Sequence, residues 1–292
     1  HVPWRAIRAG KQLSDSKGSS AAISTEAAIV STQRSIRGFR GPADIFRNPE
    51  AIFRFFEPTD GDAPFDLVLS HSGDDFAVMG MHFKIGLYEH QSAGALQGLI
   101  NLLQQDPSLA THPHSISSIR ITAYEPAFGI IGDPAKRDPK TRQSADHSMV
   151  YIVATMLRKA QELAATGGTG FLEGSNDEAW KRLMLTPYDF DADAVSNATT
   201  RGLMDTIDFE HGGPEYDRNY PDGIPTSMVI RREDGSLLDS GFVMYPSGHA
   251  RNTTADLDDI LAAKFRMHGE IAMDNPQPLI DRCLGVGQLG PD

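Results

Sequence analysis

The sequence predicts a mixed fold in which helices flank a central α+β region on both sides. Residues 18–37 are rich in small helix formers and stop before a glycine, which is typical of a helix end. In the centre, residues 116–124 alternate apolar and polar side chains like a half-buried strand, and residues 226–246 contain two such runs around an Asp-Gly turn. Residues 256–286 return to helical spacing. Small side chains on both faces of the first helix favour packing between other helices.

Further elements follow from the same patterns. A short helix is expected over 43–57, and the turn-rich residues 57–66 after it form the first candidate domain boundary. Residues 92–105 place four apolar side chains on one helical stripe. A charged loop leads into a helix of about five turns over 144–165, and helical content is expected around 177–184.

Composition limits the class of protein. With 292 residues, 40% hydrophobic and 23% charged, the chain is expected to be globular and soluble, without a membrane span or signal peptide. The net charge of −12 argues against a nucleic-acid partner, since no basic stripe offsets it. A single cysteine, Cys283, cannot form an internal disulfide or hold an iron–sulfur cluster. We therefore expect a reducing compartment, the cytoplasm or, in a eukaryote, the mitochondrial matrix.

The segment from Phe83 to Gln97 contains the most informative functional signal. Lys84 provides a positive charge, and six residues later His90 can exchange protons near neutral pH. The small residues that follow at 92–95 allow backbone or ligand to approach a helix start, where N–H groups favour anions. This combination suits an acidic substrate that is held and deprotonated. The alternative is a surface lysine followed by a histidine that caps a helix.

Other polar clusters each allow a functional and a structural interpretation. Lys17 precedes a small-residue helix, so it is either part of an anion site or an exposed loop lysine. Asp146 and His147 stand at the predicted start of the long helix, as a cap or as a tuned acid–base pair. His249 and Arg251 lie in a tight turn after a strand, where they would clamp a carboxylate.

A metal site and nucleotide chemistry receive little support. His112 and His114 are separated by one proline, but no cysteine or clustered carboxylate lies near them in the sequence. We therefore expect no metal. The chain has no G-x-S-x-G, P-loop or G-x-G-x-x-G motif, which argues against hydrolase and nucleotide-binding classes.

Four motifs in order carry a family resemblance: HVPWRAIRAGKQLSDSKGSSAA, FKIGLYEHQSAGAL, DPKTRQSADHSMVYIVA and YPSGHARN. Together they resemble the MmgE/PrpD family, and in particular its 2-methylcitrate dehydratase branch. The resemblance implies a partial all-helical domain formed by residues 1–80 and 249–292, with an inserted α+β lid domain at 81–248. It also implies chemistry on small di- and tricarboxylates without a metal or another cofactor.

The resemblance also implies roles for individual residues. Lys17, Lys84 and His90 match active-site positions and are the candidate catalytic residues. The remaining candidates, Asp146, His147, His249 and Arg251, are expected to bind substrate. The spacing from Lys84 to the histidine is shorter here than in many relatives, and GLYE replaces their proline-containing turn.

The resemblance also implies that the chain is a lyase, namely a hydro-lyase that dehydrates 2-methylcitrate or a related hydroxy tricarboxylate, as in propionate catabolism. Alternatives on this scaffold are decarboxylation of cis-aconitate and epimerisation of an imino-diacid. A third is an inactive truncated or split subunit that only associates, because the N-terminal half of the family has no counterpart here. We expect a homodimer, or association with a polypeptide that supplies that half. Helices such as 18–37 are then expected to expose apolar faces.

Overall fold

A computed structural model describes residues 12–43, 45, 48, 50 and 80–290. These residues belong to two compact units, with 18–43 in the first and 12–17 and 82–290 in the second. The helix predicted at 43–57 and the loop at 57–66 lie almost entirely outside the described residues. The division into a helical domain and a lid domain, with its boundaries at 80/81 and 248/249, stays a prediction.

In the described ranges, eleven α-helices are present: α1 (Ser16–Ile36), α2 (Ala93–Gln105), α3 (Ser108–Thr111), α4 (Arg142–Ala145), α5 (Met149–Gly167), α6 (Asn176–Leu183), α7 (Ala192–Ser196), α8 (Ala198–Asp205), α9 (Pro214–Asp217), α10 (Leu257–Ala272) and α11 (Gln277–Leu284). The strands are β1 (Ile116–Ala123), β2 (Ile207–His211), β3 (Thr226–Arg232) and β4 (Leu237–Asp239). None of these helices combines the length and the apolar character needed to cross a bilayer.

The four strands form one mixed sheet in the order β2-β1-β3-β4. β1 runs parallel to β2, with Ile119 opposite Ile207, and antiparallel to β3, with Ile121 opposite Met228. β3 and β4 form the hairpin that the Asp-Gly turn predicted. Helices together with this sheet confirm the predicted class, α+β with a helical part.

The core of the second unit contains side chains of α2, α5 and the sheet, and α2 packs against both β3 and α5. The four residues of the predicted α2 stripe, Leu96, Leu99, Ile100 and Leu103, are fully buried. β1 buries Ile116, Ile119, Ile121 and Ala123 while Arg120 is exposed, as expected of a half-buried strand. Burial of these aliphatic side chains contributes about 1.5–3 kcal/mol each.

Helix α1 matches the predicted span within two residues, but none of its residues is buried. Ile23 is 49% exposed and Ile36 is 80% exposed. The expected packing between other helices is therefore wrong for this structure, while the exposed apolar faces are confirmed. Small side chains permit close packing but supply little apolar area to drive it. Gly38, with φ +93°, ends the helix as predicted.

Two element boundaries differ from the prediction. The long helix begins at Met149 rather than 144, because Ser148 accepts a hydrogen bond from the Tyr151 N–H and caps a new helix. Asp146 and His147 thus precede the helix instead of opening it. The second hairpin strand is Leu237–Asp239 rather than 241–246, since Gly241 with φ +67° interrupts the extended backbone.

The small residues at the start of α2 allow a close approach to β3. A Cβ added at Gly94 would lie 2.5 Å from Thr226 Oγ1 and 2.8 Å from the Ile224 carbonyl oxygen. The close neighbour predicted from this small-residue run is therefore the backbone that leads into β3.

We predict that Gly94→Ala lowers the free energy of unfolding by about 1–3 kcal/mol, because backbone must move to admit the methyl group. The matched control is Gly202→Ala in α8, where no atom lies within 4 Å of the added Cβ. There, alanine should raise stability by about 0.5–1 kcal/mol through helix propensity. Urea unfolding of both variants measures this, and equal effects of the two substitutions would contradict the packing.

Candidate active site

Residues 82–92, named the site segment here, are fixed by buried side chains. Ile85 and Tyr88 are buried, and the Tyr88 hydroxyl accepts a hydrogen bond of 2.8 Å from the Ile85 N–H. Three backbone hydrogen bonds connect the segment to distant parts of the chain: Phe83 N–H to Gly248 O (2.8 Å), Leu87 N–H to Leu185 O (2.9 Å) and Glu89 N–H to Asp146 O (2.8 Å).

The turn at 245–251 is held by a buried glutamine. Gln97 of α2 is only 7% exposed, and its Oε1 accepts hydrogen bonds from Trp180 Nε1 (2.9 Å) and from the Ser247 N–H (3.0 Å). Its Nε2 donates to Asn176 Oδ1 at 2.8 Å. One side chain therefore joins α2, α6 and this turn, and fixes the turn beside the site segment.

Three imidazole rings stack where the site segment meets this turn. His82 lies between His90, with ring centroids 5.7 Å apart, and His249, with centroids 3.8 Å apart. The Ala250 N–H donates to His82 Nδ1 and the Arg251 N–H donates to His249 Nδ1, each at 3.1 Å. Since Nδ1 accepts in both rings, Nε2 carries the proton in their neutral forms.

These histidines are shifted towards the neutral form. Burial lowers the pKa of His90 to about 4, with a further contribution from the charges of His82 and Lys84. Burial also lowers the pKa of His249 to about 4, and the charges of its neighbours His82, His90 and Arg251 act in the same direction. The pKa of His82 is lowered for the same reason, burial first and then Arg251. At neutral pH the rings are therefore uncharged.

Glu89 is a carboxyl group whose charge is disfavoured by its surroundings. Burial raises the pKa of Glu89, and this effect outweighs the hydrogen bond from the Gln91 N–H and the charges of His147, Lys84 and Lys136. The carboxyl group is thus shifted towards carrying a proton although the ammonium groups of Lys84 and Lys136 lie near it.

Asp146 orients the neighbouring imidazole. His147 Nδ1 contacts both the Asp146 carboxylate and the Gln143 carbonyl oxygen, the latter at 2.9 Å. Two acceptors at Nδ1 mean that this nitrogen donates, which leaves Nε2 of the neutral ring with its lone pair. This is the tautomer that a general base requires, with the carboxylate fixing the ring from behind.

Lysines surround the same region. Burial lowers the pKa of Lys136, against the charges of Glu89 and Asp133, and the charge of Lys17 lowers it further. Lys264 of α10 donates from Nζ to the Lys84 carbonyl oxygen at 2.6 Å, and its pKa is lowered by burial and by the Lys84 charge. Lys136 and Lys264 are half-buried, and each is repelled by a second lysine, so an anion would stabilise this region.

Residues 88–166 match the MmgE/PrpD C-terminal domain. This matched segment contains Glu89, His90, Lys136 and the pair Asp146 and His147. No curated protein matches the chain at a significant level. The family resemblance is thus supported over this segment, and the 2-methylcitrate dehydratase branch stays a prediction.

The predicted site residues lie both inside and outside residues 88–166, and they differ in burial and in their partners. Lys84 is exposed on the site segment. Lys17 belongs to the second unit and follows Leu13, whose N–H donates a hydrogen bond to Ser144 Oγ at 2.7 Å. His249 is only 2% exposed. The Arg251 guanidinium is exposed and paired with the Asp222 carboxylate. The roles given to these residues and to His90, Asp146 and His147 stay predictions.

Four residues of this region were not identified from the sequence. Glu89 is adjacent to His90 in the sequence, but the burial that raises its pKa has no local sequence signal. His82, Lys136 and Lys264 are brought to the region by long-range contacts, so spacing along the chain does not reveal them. In the described ranges no group of three or more His, Cys, Asp or Glu side chains is arranged to hold a metal ion. Metal-free chemistry stays a prediction.

We predict that the free energy of unfolding decreases as pH falls from 6.5 towards 4. His90 and His249 have lowered folded-state pKa values, so the unfolded chain binds more protons in this window and acid favours unfolding. Urea unfolding at several pH values measures the slope.

His249→Asn tests the cause, since asparagine still offers an acceptor to the Arg251 N–H but does not titrate. This variant should lose less stability on acidification than the parent. His114→Asn, at an exposed position, should keep the parent slope. Parallel slopes for His249→Asn and the parent would refute the assignment.

Proposed function

We propose that this chain is a hydro-lyase of the MmgE/PrpD type that dehydrates 2-methylcitrate or a related hydroxy tricarboxylate. The observation that supports this most directly is the set of lysines around the half-buried Glu89 carboxyl group and imidazoles of lowered pKa. The pKa values of Lys136 and Lys264 are lowered by burial and by the charges of Lys17 and Lys84, and carboxylates of a substrate would relieve this repulsion. The family match over 88–166 supports the same reaction class.

Dehydration requires a base and an acid on one substrate. The base removes a proton from the carbon next to a carboxylate, and the electron pair forms the carbon–carbon double bond. The hydroxyl group then leaves with a proton from the acid, as water. His147 with its Asp146 partner, or neutral His90, suits the base, and Glu89 with its raised pKa suits the acid.

The lysines have a separate part in this proposal. Abstraction of a proton beside a carboxylate builds negative charge on that carboxylate, and ammonium groups aimed at it lower the barrier. We assign this charge stabilisation to Lys84 and carboxylate binding to Lys17. The net charge of −12 is compatible with an anionic substrate because these cations act locally. The homodimer and the cytoplasmic location are part of the same proposal.

A substrate panel tests the reaction class. The product of the natural gene, purified under native conditions, is incubated with 2-methylcitrate, citrate, cis-aconitate and an imino-diacid. We expect an unsaturated tricarboxylate from the hydroxy acids. Carbon dioxide from cis-aconitate, inversion of the imino-diacid, or no turnover with any of the four would each overturn the dehydratase proposal in favour of one named alternative.

We predict that Lys84→Ala lowers kcat/KM by about a hundredfold or more, near 3 kcal/mol of transition-state stabilisation. The side chain is exposed, so its loss should leave the melting temperature unchanged. Lys84→Arg should retain part of the activity because it keeps the charge.

Lys140→Ala is the matched control for this prediction. Lys140 is also an exposed lysine of the same unit, but it pairs with Asp138 at 2.7 Å. Its removal should leave kcat/KM at the parent value. Equal turnover of Lys84→Ala and the parent would remove Lys84 from the proposed site.

A further inference from the structure

His82 connects the turn at 245–251 to the candidate base His90. Its ring is nearly parallel to both neighbours, with interplanar angles of 13° to His90 and 21° to His249. His249 is 2% exposed, and its Nε2 is buried without a hydrogen-bond partner among the described residues. The rings therefore stack in the order His249, His82, His90, and the buried His249 lies at the end away from His90.

Two backbone N–H groups of the turn hold the rings of His82 and His249 in place. The Ala250 N–H donates to His82 Nδ1 and the Arg251 N–H donates to His249 Nδ1, both at 3.1 Å. Both bonds need Nδ1 without a proton, so they select one tautomer of each neutral ring. The turn itself is tied to α2 through the hydrogen bond from Ser247 N–H to Gln97 Oε1.

We propose that His82 is a positioning residue, which transmits the geometry of the 245–251 turn to His90 by ring stacking and holds the His90 imidazole in place. The proposal deepens the proposed function, because it assumes that His90 takes part in the proton transfer. It assigns to His82 the orientation of His90 and no contact with substrate.

The charges around the stack favour neutral rings. Lys84 lies near His90, and Arg251 lies near both His82 and His249. The Asp222 carboxylate acts in the opposite direction on His249, but it is paired with the Arg251 guanidinium. A proton on any ring would place a cation against another imidazole. His82 thus also excludes water from one face of His90 and helps to keep it unprotonated.

The test compares His82→Ala, which removes the ring, with His82→Phe, which keeps a stacked ring but does not titrate. His82→Ala should lower kcat about tenfold or more while KM changes less. The reason is that His90 would no longer be held in one orientation, which slows the proton-transfer step more than substrate binding. His82→Phe should restore most of kcat. His114→Ala, at an exposed histidine outside the stack, is the control and should match the parent.

Histidine NMR gives a readout that does not depend on turnover. We expect the His90 ring signals of the parent and of His82→Phe to stay in the neutral form down to about pH 5, since burial persists. In His82→Ala, water reaches His90, so its titration midpoint should rise towards the ordinary histidine value. If His82→Ala does not fold, His82→Gln, which fills space without a ring, replaces it.

The outcomes separate the two proposals. Parent-like kcat and His90 titration in the ring-less variant, or equal losses in His82→Phe and His82→Ala, would overturn the positioning role. Absence of turnover with every substrate would refute the dehydratase function. In that case the titration of His90 in the three proteins still decides whether His82 controls the His90 ring.

Discussion

The candidate site depends on the way in which the site segment is held by the rest of the second unit. Its N–H groups donate to the carbonyl oxygens of Gly248, Leu185 and Asp146, and its own Ile85 and Tyr88 side chains are buried. Each backbone bond contributes a net 0.5–1.5 kcal/mol or so, and each buried side chain about 1.5–3 kcal/mol. Burial and the hydrogen bonds therefore both stabilise this attachment, and the hydrogen bonds set its register. That register determines where Lys84, Glu89 and His90 lie.

Desolvation and charge act against each other throughout the site. At Glu89 burial prevails over the charges of Lys84 and Lys136, and at His90 and His249 it adds to repulsion from neighbouring positive groups. The result is a region with a carboxyl group of raised pKa, imidazoles of lowered pKa and several ammonium groups. Such a region gains stability when an anion enters. A protein of net charge −12 can therefore present a local site for acidic molecules.

The family match covers only part of this arrangement. Glu89, His90 and His147 lie within residues 88–166, but Lys84, His82 and the 245–251 turn do not. Gln97 links the two parts, because it belongs to α2 inside the match and accepts hydrogen bonds from Ser247 outside it. The polar side chains and the packing that orients them thus come from separate stretches of sequence. Single substitutions at His82 and Lys84 are informative for this reason, since both residues lie outside the segment that matches the family.

The sequence by itself determined the features that have a local period or a local signal. The apolar stripe at Leu96 and Leu99, the alternation of β1 and the Asp-Gly hairpin predicted elements that the structure contains. Tertiary structure decided the rest. Ser148 caps a separate helix and so places Asp146 and His147 in a loop, and packing stacks His82 on His249 from far along the chain. Burial of Glu89 likewise arises from surrounding elements. Periodicity records which face of an element is apolar, but it does not record which distant groups that face will meet, and those groups set the pKa values and contacts of the site.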